Sequence, residues 1–544
     1  MHGFLSFLVS LGVTMLLIPP LIRHAAALKL VDIPDTRKVH SKAMPRVGGI
    51  AMVIGTGLAL LTGLDLSQDS AGVILGIVLI SLFGAWDDRV NLDYRIKFAG
   101  QSIAALAVIV WGNVLIEHIP FFDQALPQYL AIPLTLLALL ATTNAINLSD
   151  GLDGLAGGLT LLSLSGLALV AYLAGSRDVV IMALAIAGSI FGFLRFNTHP
   201  AYLFMGDGGS QFLGFSVGVL SILLTQRVES SLSTAQPLLL LGLPILDTAL
   251  VMAQRIHARR SPFAPDKNHI HHKLLELGFD QQEAVFLLYV MQAMMVSAGF
   301  LLHRQNNAVV LLAYALFCVV LLAVFHTANR SRWRLVDRRA GQRLDSIYGK
   351  LQWLRASNRL EQGAVAYVLV SVLAYLYAAV LWTDPITREI GMLGLVLLTA
   401  QITLLAIRGA GNFDMLDRIS LCLSNVLAVY LLQSSLSTAA FHGLLEEIYF
   451  LLLSMAVVIG IRYSLRGSFE LTPLDFLVLF MALAVSSISG VYFFESNWGL
   501  ALAELMVMFY AVELVTSRTP MRPDVFRLVT LGVSGIAAVR GLLL

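Results

Sequence analysis

Charge is scarce in this sequence. Asp, Glu, Lys and Arg supply only 13% of its 544 residues, about half the share found in ordinary soluble domains. That shortage excludes a water-soluble globular protein. Cysteine is nearly absent as well: Cys318 and Cys422 both fall inside apolar runs, which leaves neither a disulfide framework nor a cysteine metal site. No basic residue precedes the first apolar run, near residues 4–20, and its positive charges (Arg23, Lys29) come after it. A secretory leader has the opposite order, so the run reads as a retained first helix. Short alternating segments of the kind that build a membrane barrel are missing too. The net charge of +2 makes no case for a nucleic-acid partner.

What the sequence has in abundance is apolar length, 58% hydrophobic residues arranged in runs of about twenty. The fold class is therefore an all-α polytopic membrane protein, since only helices and closed barrels satisfy their backbone in lipid. Spans are expected near 4–21, 48–64, 71–86, 97–118, 128–147, 154–174, 179–195, 209–225, 236–254, 284–303 and 308–326, about 11 in a core covering 1–328. A basic polar linker, 329–362, follows. About 7 more spans are expected in a C-terminal extension, 363–544, near 364–383, 389–407, 419–435, 444–461, 473–492, 498–516 and 526–543.

The few charges are placed unevenly. Segments 22–47, 86–97, 195–208, 255–283 and 328–362 hold 6, 3, 1, 5 and 9 Lys and Arg, whereas the opposite loops hold only Arg177, Arg227 and Arg304. The positive-inside bias then puts the N-terminus outside and all five basic segments in the cytoplasm. The polar clusters fall on that same side. AWDDRVNLDYRIKF carries Asp87, Asp88 and Lys97. TNAINLSDGLDGL carries Asn144, Asn147, Asp150 and Asp153. NTHPAYLFMGDGGSQ carries Asp207, SPFAPDKNHIHHKL carries Asp266, Lys267, His269, His271 and His272, and PDTRKVHSKAMPRVGG carries Lys38 and His40.

Each cluster has a plain structural reading. An Asp at a helix start is often a cap, Asn/Asp/Gly clusters are often turns, and lysines at span ends are often anchors. The three histidines admit a zinc reading, although their spacing is not a standard one. Asp247 lies inside a span, where an ionisable residue is functional by default or sits in a buried pair. Taken together on one face, carboxylates beside lysines and histidines suit divalent-metal chemistry on a phosphate, with hard oxygen ligands for the ion and cations for the phosphoryl oxygens. Gly151 and Gly154 are expected to break the helix there and let backbone approach a ligand. The alternative from another class is an ion-coupled transporter, but transporter sites gather near the bilayer midplane, whereas these carboxylates sit at span ends.

Asp87-Asp88, NAINLSDGLDGLAGG at 144–158, FMGDGGS at 204–210 and NHIHH at 268–272 resemble, in order and spacing, the polyprenyl-phosphate N-acetylhexosamine-1-phosphate transferases of bacterial envelope synthesis. HIHH after SPFAPDKN is similar to the branch that uses N-acetylglucosamine, which initiates O-antigen, common antigen or teichoic acid. The muramoyl-pentapeptide translocases form a related branch with a different donor. The resemblance covers about residues 1–328, and residues 364–544 have no counterpart in it. It implies a multi-pass enzyme of the bacterial inner membrane that transfers a sugar 1-phosphate from a UDP-N-acetylhexosamine to undecaprenyl phosphate, releases UMP and needs Mg²⁺, or Mn²⁺ in its place. By the same resemblance Asp207 ligates the metal, and Asp87 and Asp88 sit beside the lipid phosphate and the ion, one of them as a base. Lys38 and Lys97 hold phosphate groups. Asn147, Asp150 and Asp153 belong to the nucleotide side, and Asn144 is counted among the substrate-binding residues. Arg259, Arg260, Asp266, His269, His271 and His272 face the sugar and pyrophosphate. The extension is expected to handle the lipid product or dock a later enzyme of the pathway, or to serve as a packing or dimerisation module.

Overall fold

In the computed structural model the described residues fold mostly into helices, as a backbone in lipid must. The structure describes residues 2–32, 43–64, 67–122, 124–227, 232–259, 261, 268–330, 358–383, 386–408, 415–435, 440–462, 498–518 and 523–543, with isolated positions between 473 and 480. Two compact units emerge: Met1–Val336 with Thr472–Leu477, and Asp337–Leu471 with Val478–Leu544.

The first unit contains α1 (His2–His24), β1 (Val31–Asp32), β2 (Met44–Pro45), α2 (Gly48–Gly63), α3 (Gln68–Val90), α4 (Tyr94–Val110), α5 (Gln128–Ser149), α6 (Leu155–Leu173), α7 (Arg177–Asn197), α8 (Gly206–Gln226), α9 (Pro237–Leu240), α10 (Gly242–His257), α11 (Ile270–Glu276), α12 (Gln281–Leu301) and α13 (Asn307–Arg330). The second contains α14 (Asn358–Trp382), α15 (Arg388–Arg408), α16 (Met415–Ser435), α17 (Ala440–Arg462), α18 (Trp498–Arg518) and α19 (Pro523–Leu543). Among the described residues nine helices (α1, α3, α5, α6, α7, α8, α12, α13 and α14) are long and apolar enough to cross a membrane. This is a multi-pass membrane protein. The span expected at 473–492 falls mostly outside the described residues.

Local chemistry explains where several helices begin. Ser67 and Ser70 form a reciprocal capping box at α3, Asp280 and Glu283 do the same at α12, and Asp93 accepts from Arg95 N to open α4. Each satisfies amides that the first helical turn leaves orphaned.

Two spans differ from expectation. The fourth ends at Val110 rather than near 118, because Gly112 and Asn113 (φ 51°) turn the chain out of the helix. The ninth is broken at Leu241 into α9 and α10. Pro244 has no N–H to give Leu240 O. Gln292 of α12, wholly buried, supplies the missing donor: its Nε2 lies 2.7 Å from Leu240 O, and its Oε1 accepts from Leu243 N at 3.3 Å.

In the first unit α8 packs against α2, α3 and α5, and α7 against α1 and α6. Small residues set the closest approaches. A methyl group on Gly49 of α2 would overlap the backbone nitrogen of Gly209, and one on Gly84 of α3 would lie 2.5 Å from Gly208 Cα. In the second unit α15 and α19 meet at Gly391 and Gly541, and Arg527 of α19 grips Asp417 of α16 with two bonds of 2.8 Å. Because backbone rather than a flexible side chain would have to yield at Gly49, Gly49→Ala is expected to destabilise the protein by about 1–3 kcal/mol. An unchanged thermal unfolding midpoint in detergent would contradict that contact.

Candidate active site

The site is built around the N-terminus of α8. Gly206 takes φ 72° there, and a side chain in its place would strike the Asp88 carboxylate. Asp88 caps the helix from the neighbouring α3: its Oδ1 accepts from Asp207 N at 2.8 Å and its Oδ2 from Gly208 N at 2.9 Å. Arg46 stands behind it, 3.9 Å from Asp88 Oδ1, and pairs with Asp32 at 2.6 Å. Backbone bonds from Gly48 N to Phe204 O and from Phe204 N to Pro45 O stitch the Arg46 segment to the chain entering α8.

Asp207 therefore projects from a fixed first turn. Its Oδ1 accepts from Asn147 Nδ2 at 2.8 Å, and its Oδ2 lies 3.4 Å from Lys97 Nζ. Lys97 also contacts Asp87 Oδ2 at 2.5 Å. Lys97 thus stands between the carboxylates of Asp87 and Asp207, in contact with one oxygen of each. Asp87 Oδ1 accepts from Leu92 N at 2.8 Å, which holds the turn between α3 and α4. Asn147 reaches Ser210 Oγ as well, at 2.7 Å. One turn deeper a chain of amides runs from Asn144 through Gln101 to Gln211, with bonds of 2.8 and 3.3 Å.

The segment from Asp150 to Gly154 breaks the chain between α5 and α6, as the two glycines imply. Asp150 is exposed at the start of this loop. Asp153 Oδ2 accepts from His199 Nδ1 at 2.7 Å and from Ala201 N at 3.2 Å, so it ties this loop to the chain leading into α8. Asn197 adds a second tie, accepting from Gly154 N at 2.9 Å and donating to Leu203 O at 2.8 Å.

The histidines arrive from α11. Asp247 accepts from His269 Nδ1 and from Ile270 N, both at 2.8 Å, so the ionisable residue inside α10 is half of a buried pair that anchors the start of α11. His271 then rests on Gly151, where any side chain would collide with its ring. His272 packs beside it, ring centroids 4.3 Å apart. Arg259 is exposed just beyond α10. Lys38, His40, Arg260, Asp266 and Lys267 lie outside the described residues.

Sequence reading missed Arg46, Gln101, Asn197, Ser210 and Gln211. Gln101 and Gln211 did carry a signal, being amides inside apolar runs. Arg46 did not, since it looked like one more basic loop residue.

The donor set bears on which metal could be held. Among the described residues no three His, Cys, Asp or Glu side chains converge as a ready-made cage. Mg²⁺ does not need one, because it is usually bound by one or two carboxylates together with water and substrate phosphates. Asp87 and Asp207 supply that number, facing each other. Both oxygens of Asp88 are already engaged by the α8 amides.

The fold and this cluster define a polytopic membrane protein whose acidic, lysine-bearing centre lies at one end of its helices. Residues 70–225 match the glycosyl transferase family 4 profile. The chain is 36% identical over 324 residues to a Bacillus subtilis (strain 168) protein named "Probable undecaprenyl-phosphate N-acetylglucosaminyl 1-phosphate transferase", covering 59% of this chain and 89% of that one. It is 35% identical over 294 residues to the decaprenyl-phosphate N-acetylglucosaminephosphotransferase of Mycolicibacterium smegmatis (48% and 72% covered). Against the undecaprenyl-phosphate alpha-N-acetylglucosaminyl 1-phosphate transferase of Escherichia coli (strain K12) it is 30% identical over 287 residues (51% and 77% covered). This chain belongs to the polyprenyl-phosphate N-acetylglucosamine-1-phosphate transferase family.

Burial first, and the charge of His272 second, hold the His271 imidazole down at about 3 from its ordinary 6.5. The unfolded chain takes up that proton first, so the contribution of neutral His271 to stability is complete above pH 6.5 and is lost as pH falls from there toward 3. The unfolding midpoint is expected to drop between pH 7 and pH 5, and to drop less in His271→Asn. Equal drops in the two proteins would refute the assignment.

Proposed function

We propose that this protein transfers N-acetylglucosamine 1-phosphate from UDP-N-acetylglucosamine to undecaprenyl phosphate at the cytoplasmic face of the bacterial inner membrane, releasing UMP and starting an envelope glycan. The carrying observation is the pair of facing carboxylates, Asp87 and Asp207, with Lys97 between them at the mouth of the helix ends. The names of the relatives suggest the substrate class, and the excess of Lys and Arg on alternate loops supports the orientation.

A lipid phosphate oxygen attacks the β-phosphorus of the donor. One P–O bond forms there as the bond from that phosphorus to the bridging oxygen breaks, and UMP departs with the bridging oxygen. Such an oxygen needs little help from a base, since a phosphate monoester loses its second proton near pH 6. Lys97 neutralises charge on the phosphoryl oxygens in flight. Asp88 acts through structure, holding the backbone of Asp207 and Gly208 in place. Asn147 orients the Asp207 carboxylate. Asp87 and Asp207 would hold Mg²⁺, which supplies charge neutralisation and alignment of the two phosphates. Asp150, Asp153 and the α11 histidines are assigned to the donor.

Mg²⁺-dependent release of UMP, tested across UDP-N-acetylglucosamine, UDP-N-acetylgalactosamine and UDP-muramoyl-pentapeptide, decides both the activity and the donor. Release only from the muramoyl donor would move the protein to the translocase branch. Asp207→Asn is expected to lower turnover at least about a hundredfold without unfolding the chain, because a neutral amide loses the charge that holds the ion. Activity near that of the parent at limiting Mg²⁺ would remove Asp207 from the metal site.

The second unit is assigned an accessory role, in dimerisation or in docking a later enzyme of the pathway. A chain truncated after residue 357 is expected to keep transferase activity in detergent with excess lipid acceptor. If it stays monodisperse and binds the donor yet turns nothing over, the division into core and accessory unit fails.

A further inference from the structure

Tyr289 is 1% exposed and sits on α12, a helix that carries none of the motif residues. Its hydroxyl donates to Gly154 O at 2.7 Å. That carbonyl already accepts the ordinary helical bond from Gly158 N at 2.9 Å, so the tyrosine bond is an addition and not a replacement. On the other side of the same residue Gly154 N donates to Asn197 Oδ1 at 2.9 Å. Gly154 has φ 79°, a conformation in which glycine alone is unstrained and which glycine leaves as easily as it enters. Both of its polar atoms are thus held by buried side chains of two different helices. The ring reaches it only because Gly158 has no side chain, since a methyl group there would overlap the tyrosine. Phenylalanine would fill the same volume, so packing alone gives no account of the hydroxyl.

We propose that Tyr289 is a positioning residue for donor binding. Through Gly154 it fixes the segment that carries Asp150 and Asp153, and therefore where those carboxylates stand. The same helix packs against α11, which lays His271 on Gly151. α12 thus sets the acidic loop and the histidines in one register. The proposal rests on the reading that this loop faces the UDP-sugar.

The test is Tyr289→Phe in the full chain, compared with the parent protein in detergent. The KM for UDP-N-acetylglucosamine is expected to rise about fivefold, on the scale of one hydrogen bond, with a modest fall in the unfolding midpoint because the bond is already made in the unliganded protein, while the KM for undecaprenyl phosphate changes little. UDP alone, titrated by calorimetry, should bind about fivefold more weakly by the same reasoning. Should Tyr289→Phe fail to fold, Gly158→Ala, which keeps the hydroxyl but displaces the ring, is expected to weaken UDP binding selectively. Unchanged donor KM and UDP affinity overturn the proposal. So does a lowered midpoint with unchanged affinity, which marks a purely structural tyrosine. A parent protein that binds UDP but transfers nothing removes the transferase reading instead, and the UDP titration still decides the role of Tyr289.

Discussion

The polar end of the first unit depends on one carboxylate meeting one helix end. The first turn of a helix presents amides that no backbone partner can satisfy, together with the positive end of its dipole. Asp88 answers two of those amides at once, from a helix that can come so near only because Gly84 and Gly208 carry no side chains. Once that contact is made the direction of Asp207 is settled, and with it the places where Lys97 and Asn147 can meet its two oxygens.

The surroundings explain why so much acid can gather there. Asp87, Asp88 and Asp207 crowd a small volume, and like charges so placed repel each other strongly. The opposing terms are local: two amide dipoles and Arg46 at Asp88, Lys97 between the other two, and the Asn147 amide at Asp207. In the proposed reaction, a bound cation and phosphate oxygens would each shift that balance.

Most of the fold was legible because a lipid environment leaves few solutions. Runs of twenty apolar residues become helices, and charges mark their ends. What could not be read was whatever depends on partners distant in sequence. Pro244 was visible, but that it breaks the ninth span follows from Gln292 being at hand to take over Leu240 O. Asp87 and Asp88 stand side by side in one motif, and nothing in their spacing tells one from the other. Only the geometry separates Asp88, with both oxygens engaged, from the facing pair. Asp247 reads as functional or as half of a buried pair, but nothing in the sequence names its partner, His269, which lies 22 residues further on. Tyr289 resembled any core aromatic on an apolar helix.

The broken ninth span has a consequence for how the chain enters the membrane. Segment 237–257 leaves the ribosome before Gln292, which lies 52 residues after the carbonyl it serves. Until α12 arrives, Leu240 O has no donor from Pro244, and hydrocarbon offers none. Leu240 O therefore gains its side-chain donor only when α12 docks beside it, which couples the placing of the two segments in the folded protein.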